Sequence, residues 1–151
     1  MANSDTGAAV SDLADLEKFR MCRVGRIEQI DALTVRTTIE LPEAALWERT
    51  VYAIVFGDKI ERIGSSKRML GRRCKQTDYY LTKFLSGDCP PQNQRELPIW
   101  LECFDKHRAG IIYAKICPEV TTEFGTYNDY LAIENFLLNK YKPRLNNSHF
   151  R

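Results

Sequence analysis

Histidine is scarce: His107 and His149 are the two the chain contains, too few for a histidine-rich metal centre. Cys22, Cys74, Cys89, Cys103 and Cys117 make an odd number of cysteines with no CxxC spacing. This speaks against a disulfide framework or a zinc site and fits reduced thiols in a cytoplasm. No apolar stretch approaches the ~20 residues that span a bilayer, and the polar N-terminus does not read as a signal peptide. No membrane partner is therefore expected. Internal repeats and low-complexity segments are missing too. The net charge of +2 is too small to name a partner by itself.

What is present is an ordinary globular composition, 44% hydrophobic and 28% charged over 151 residues, enough for one domain with a real core. The charge is unevenly distributed. Between Ser65 and Lys83 stand Lys67, Arg68, Arg72, Arg73, Lys75 and Lys83 against one acid, Asp78. Lys140, Lys142 and Arg144 follow later without an acid among them. Two basic clusters on a balanced chain suggest an anionic partner met on one face. A merely solvated basic surface would give the same pattern.

Residues 1–10 are small and polar and read as disordered. Ser11 can cap a short helix to about Phe19, with Leu13, Leu16 and Phe19 on one side. Leu33–Ile39 is rich in β-branched residues and reads as a strand ended by Pro42. Val51–Phe56, the turn Gly57-Asp58-Lys59 and Ile60–Ile63 form a hairpin. Gly64 is expected to break the return strand, and Ser65 or Ser66 to cap a helix reaching about Phe84. A proline-containing loop from Asp88 to Asn93 precedes a second helix, Glu96 to about His107. Gly110–Ile116, apolar nearly throughout, reads as a central strand. A last helix is expected from Thr126 to Tyr141, stopped by Pro143. The sum is an α/β fold: a small three-stranded antiparallel sheet flanked by helices, with an N-terminal extension (residues 11–49) that contains a strand and belongs to the same domain as the core, residues 50–151.

Certain residues ask for a chemical explanation. On the first helix so read, Arg68, Arg72 and Lys75 fall close to one face and repel one another unless an anion lies over them. Glu134 falls within about 60° of Tyr127, Tyr130, Leu131, Leu137, Leu138 and Tyr141 on the last helix. A carboxylate in that stripe is costly unless it meets a core arginine or a metal. Tyr52 taken alone is an aromatic in a core strand, and Asn146 taken alone is a turn residue.

Taken together, these residues resemble the GIY-YIG nuclease family. Thr50-Val51-Tyr52 is similar to the GIY element and Arg62-Ile63-Gly64, ten residues on, to YIG. Arg72 stands eight residues beyond the glycine, where the family has an arginine. Ser66-Lys67 fits the small-residue/lysine pair after that glycine. Glu134 and the run Tyr141-Lys142-Pro143-Arg144-Leu145-Asn146 resemble the late glutamate and the Pro-x-x-Asn ending. The resemblance covers about residues 50–148, and in layout the phage endonuclease II type and the standalone restriction endonucleases look nearest. Thr50 and Val51 depart from Gly-Ile, Arg62 replaces the second tyrosine, and Gln76 stands near the position where homing members carry a histidine. Some restriction-enzyme members have a basic residue at the Arg62 position.

The resemblance implies hydrolysis of DNA phosphodiesters with one divalent cation, Mg²⁺ with Mn²⁺ as a substitute, held by Glu134. It makes Tyr52, Arg62, Arg72, Glu134 and Asn146 the catalytic set. Tyr52 takes a proton from the attacking water, and a phenol of ordinary pKa ~10 needs positive charge beside it, which Arg62 would supply. Arg72 neutralises the transition state and Asn146 fixes the local backbone. Ser66, Lys67, Arg68, Arg73, Lys75, Lys142 and Arg144 are expected to contact nucleic acid, chiefly its backbone phosphates. The partner is double-stranded DNA, cut in the cytoplasm of a bacterium or of a phage-infected host, in a restriction or phage setting. One motif set per chain implies a homo-oligomer, dimer or tetramer, with Leu41, Leu46 and Trp47 as candidate interface residues. Two other readings remain: a catalytically silent DNA-binding module of the same fold, and a protein–protein adaptor whose basic helix meets an acidic partner.

Overall fold

The computed structural model of the chain describes residues 14–146. The expectations for residues 1–10, Ser11 and Leu13 lie outside them. A helical stretch over 14–18 buries Leu16. Five antiparallel strands follow the order β2-β1-β5-β3-β4. They are β1 (Cys22–Asp31), β2 (Thr34–Ile39), β3 (Thr50–Phe56), β4 (Lys59–Ser66) and β5 (Ala109–Ile116). The sheet is thus larger than the three strands expected, because the N-terminal residues add two strands rather than one, and both join the same sheet. β5 is central, as its apolar run implied.

Three helices cover the sheet: α1 (Leu70–Leu85), α2 (Glu96–His107) and α3 (Tyr130–Tyr141). β3 is buried at every position, so its two faces feed two cores. Tyr52, Ile54 and Phe56 pack with Leu70, Cys74, Trp100 and Phe104 under α1 and α2. Val51, Ala53 and Val55 pack with Leu16, Leu137 and Leu138 under α3. Phe56 meets Trp100 and Phe104 edge-on at 6.1 and 5.4 Å between ring centres, contacts adding about 0.5–1.5 kcal/mol each beyond burial. The β3–β4 turn needs Gly57, whose φ of 67° suits a residue without Cβ and whose open side is filled by the His107 ring.

Three boundaries differ from expectation. Gly64 does not end β4, which continues through Ser66, paired with Thr50. Neither serine caps α1; its N-cap is Met69, which makes no side-chain capping bond. Arg68 therefore precedes the helix and does not share a helical face with Arg72 and Lys75. The last helix begins at Tyr130, because residues before it form a small hairpin, β6 (Glu119–Thr122) and β7 (Gly125–Asn128), with Phe124 93% exposed at its tip.

Both outer edges of the sheet are closed by side chains rather than left open for pairing. On β2, the Val35 N–H donates to Thr82 Oγ1 at 3.2 Å. The Thr37 N–H and hydroxyl donate to the two Asp78 oxygens at 2.8 and 2.7 Å. On β4, Asn146 does the equivalent work at Ile63. Of the candidate interface residues, Leu41 and Trp47 pack on the first core, and Leu46 alone stays 69% exposed.

Candidate active site

Tyr52 on β3 and Gly64 on β4 are paired across the hairpin. A Cβ at Gly64 would collide with the Tyr52 hydroxyl and ring, so the ring lies directly over the glycine. The strand pairing and the missing side chain together fix where the phenol sits. Its hydroxyl is fully enclosed and makes no well-aligned hydrogen bond.

The arginine beside that phenol is Arg73. Its Nε is likewise enclosed without an aligned partner. Tyr52 is the first cause raising the Arg73 pKa, outweighing the lowering by burial, and Glu134 adds to it. Arg72 is exposed. The difference follows from helical phase. Leu70, Cys74, Leu81 and Phe84 mark the buried face of α1, and at 100° per residue Arg73 lies about 65° from its centre and Arg72 about 165°.

Glu134, on α3, meets β4 one residue beyond Gly64, accepting a hydrogen bond from Ser65 Oγ at 2.9 Å. It is half-buried rather than set in a continuous apolar stripe. Tyr127 belongs to β7, and Leu131 is 58% exposed. Among the described residues no three His, Cys, Asp or Glu side chains come together. A hard divalent cation nevertheless suits one carboxylate supplemented by water and substrate phosphate, and Glu134 beside the Ser65 hydroxyl fits that demand.

Arg62, on the same strand, donates from Nη1 to the Leu145 carbonyl at 3.1 Å, and its Nε is enclosed without a partner. The cation that neighbours Tyr52 is Arg73, while Arg62 is bonded to the Leu145 carbonyl. Asn146 is buried and grips Ile63 through both amide atoms. Arg144 is exposed but ion-paired. It donates to both Glu61 oxygens at 3.0 and 2.7 Å and to Glu102 at 2.7 Å, and these acids raise its pKa. Ser66 is buried, and its hydroxyl donates to the Arg68 carbonyl at 2.6 Å.

Lys67, Arg68, Arg72, Lys75 and Lys142 are exposed. The first three line a shallow depression of about 270 Å³ shared with Ser65, Ser66 and Arg73. Lys75 points outward from α1, and Lys142 occupies the left-handed cap of α3, with φ 45°.

The fold has solved counterparts. EndoII of bacteriophage T4, solved as a mutant, superposes with a TM-score of 0.59 over 88% of this chain and 96% of its own, at 14% identity. The restriction endonuclease HPY188I, solved in complex with product DNA, gives 0.53 over 86% of this chain and 79% of its own, at 21% identity. The chain therefore shares the fold of these two proteins. No family model matches the sequence, and no curated protein matches it.

Proposed function

We propose that this protein is a divalent-metal-dependent endonuclease that hydrolyses phosphodiesters of double-stranded DNA, of restriction or phage type. The observation that carries this reading is the placing of three groups from three elements along one stretch of β4: Tyr52 over Gly64, Arg73 beside Tyr52, and Glu134 bonded to Ser65. The duplex backbone lies over Lys67, Arg68 and Arg72, which place it without reading sequence. The Arg73 guanidinium stays beside Tyr52 as its counter-charge and balances the charge that grows on the scissile phosphate's oxygens. Tyr52 acts as phenolate, its own proton having gone to solvent before the attack, and takes up the proton of the attacking water. Glu134, steadied by Ser65, is the residue that would hold Mg²⁺ or Mn²⁺. When bound, such an ion supplies Lewis-acid stabilisation of the phosphate and the departing 3′ oxygen. Asn146 keeps β4, and with it Gly64, in register.

Arg62 in place of a second tyrosine favours one other reading, a DNA-binding module without catalysis. Supercoiled plasmid with Mg²⁺ separates the two. The nuclease gives nicked or linear product with wild type and none with Glu134→Ala, while both bind DNA in a gel shift. Binding without cleavage by the wild type would leave the silent module.

A further inference from the structure

Beside the candidate active site, and sharing Arg62 and Arg73 with it, lies a second concavity of about 360 Å³. Its walls come from α1 (Thr77, Tyr80, Leu81, Phe84), from the loop carrying Pro90, Gln92 and Asn93, and from the start of α2 (Glu96, Trp100). The volume is at the lower end of the range for small-ligand sites, enough for one ring system and too small for a helix or a duplex groove.

The lining is chemically divided. Leu81, Phe84 and Trp100 are buried core residues and form an apolar floor. Glu96 is held in place, accepting from the Trp100 indole N–H at 3.2 Å and from Asn93 Nδ2 at 3.4 Å. Gln76, Gln92 and Asn93 bring amides, each with donor and acceptor capacity. At the end nearest the active site are the two arginines whose Nε atoms are enclosed and unpartnered. Tyr80, 53% exposed, stands at the mouth.

An inorganic anion would use the arginines and waste the apolar floor. A hydrocarbon would use the floor and leave the guanidinium nitrogens and amides unsatisfied, at a cost. A flat heteroaromatic ring carrying a phosphate uses both. We infer that this pocket receives a single nucleobase, unstacked from the strand next to the phosphate being cut. The amides meet its polar edge, the apolar floor and Tyr80 its faces, and Arg62 and Arg73 its phosphate. Taking a base out of the stack costs least where it is already unpaired or mismatched, so the pocket favours distorted DNA.

The source of the base rests on the endonuclease reading; the pocket does not, and two measurements keep them apart. The first titrates the full-length protein, without metal, with 2′-deoxynucleoside 5′-monophosphates and with deoxyribose 5-phosphate. Amide and indole NMR signals are followed, the Trp100 indole being assigned with Trp47→Phe. At least one mononucleotide should shift the Trp100 and Asn93 signals and bind about tenfold tighter than the sugar phosphate, the scale of one stacked base. Equal affinities, or shifts confined to other residues, would overturn the base pocket. The second compares cleavage of a duplex containing one unpaired base with its fully paired counterpart. Wild type should prefer the former, and Gln92→Ala should reduce that ratio by about fivefold. Mononucleotide binding by a protein that cuts no DNA would remove the endonuclease reading and leave the pocket. Cleavage without any preference for the unpaired base would remove the pocket's role and leave the nuclease.

Discussion

Asn146 and Ile63 are joined by two hydrogen bonds of 2.9 Å, the Ile63 N–H donating to Asn146 Oδ1 and Asn146 Nδ2 donating to the Ile63 carbonyl. One side-chain amide thus stands in for a neighbouring strand along the outer edge of β4. Asn146→Ala leaves two enclosed backbone groups without partners, at ~1–3 kcal/mol each. Urea unfolding should show a loss of about 2–6 kcal/mol. A change below ~0.5 kcal/mol would mean that water replaces the amide without penalty.

Tyr52 and Gly64 separate chemistry from packing. Tyr52→Phe removes a hydroxyl that makes no aligned hydrogen bond. Stability should stay within ~1 kcal/mol of wild type while cleavage falls by ~10²-fold or more. Gly64→Ala forces a methyl into the tyrosine ring and should lower stability by about 1–3 kcal/mol together with cleavage. Full activity in the phenylalanine variant would remove Tyr52 from the reaction.

Adjacent arginines should behave differently. Arg73→Ala is expected to slow cleavage by ~10²-fold or more at saturating DNA, the usual scale for a lost transition-state charge. Arg72→Ala, whose side chain faces solvent, should weaken DNA binding, lower its salt dependence and leave the rate at saturation nearly intact. Single-turnover kinetics beside salt-dependent binding isotherms test this. A larger rate loss from Arg72→Ala would reverse the assignment.

Asp78 makes stability depend on pH. Burial holds its carboxyl above the ordinary carboxylate range, although the bonds from Thr37 pull the other way. The folded chain therefore keeps this proton better than the unfolded chain. The corresponding stability is full below the unfolded pKa and is lost as pH rises through the raised folded value. Asp78→Asn still accepts from the Thr37 N–H and cannot ionise. Its unfolding free energy should decline less than that of wild type between about pH 4 and pH 7. Parallel profiles would show that Asp78 is not the group responsible.

The hairpin β3–β4, the helix Glu96–His107 and the central β5 were legible because composition and period agreed there. β1 was not, for a physical reason. Its two most enclosed residues, Val24 and Ile27, are three apart, a spacing that alternation forbids on one face. A register shift between Arg23 and Gly25 against β5 turns both inward, and a bulge of this kind leaves no mark in the residue types. At the candidate site, Tyr52, Gly64, Glu134 and Asn146 came from the resemblance of the motifs. That Arg73 rather than Arg72 lies beside Tyr52 depends on the phase of α1, available only once Leu70, Cys74, Leu81 and Phe84 are known to face inward. The ion pairs of Arg144 with Glu61 and Glu102 join residues far apart in the chain, so the sequence did not reveal them.

Helix α1 bears Arg73 near its first turn and, through Asp78 and Thr82, is fastened to β2 at the opposite rim of the sheet. Arg73 and Thr82 are about 13 Å apart along the helix axis, and the strands between β2 and β4 span roughly 19 Å. In the proposed reaction the angle at which the guanidinium approaches a phosphate is therefore set from a distance, by three hydrogen bonds remote from the candidate site. Two chains with the same tyrosine, arginine and glutamate but a differently placed β2 would aim that charge along different lines. Divergence in the N-terminal strands would then retune the geometry of the reaction while every reacting group stayed the same.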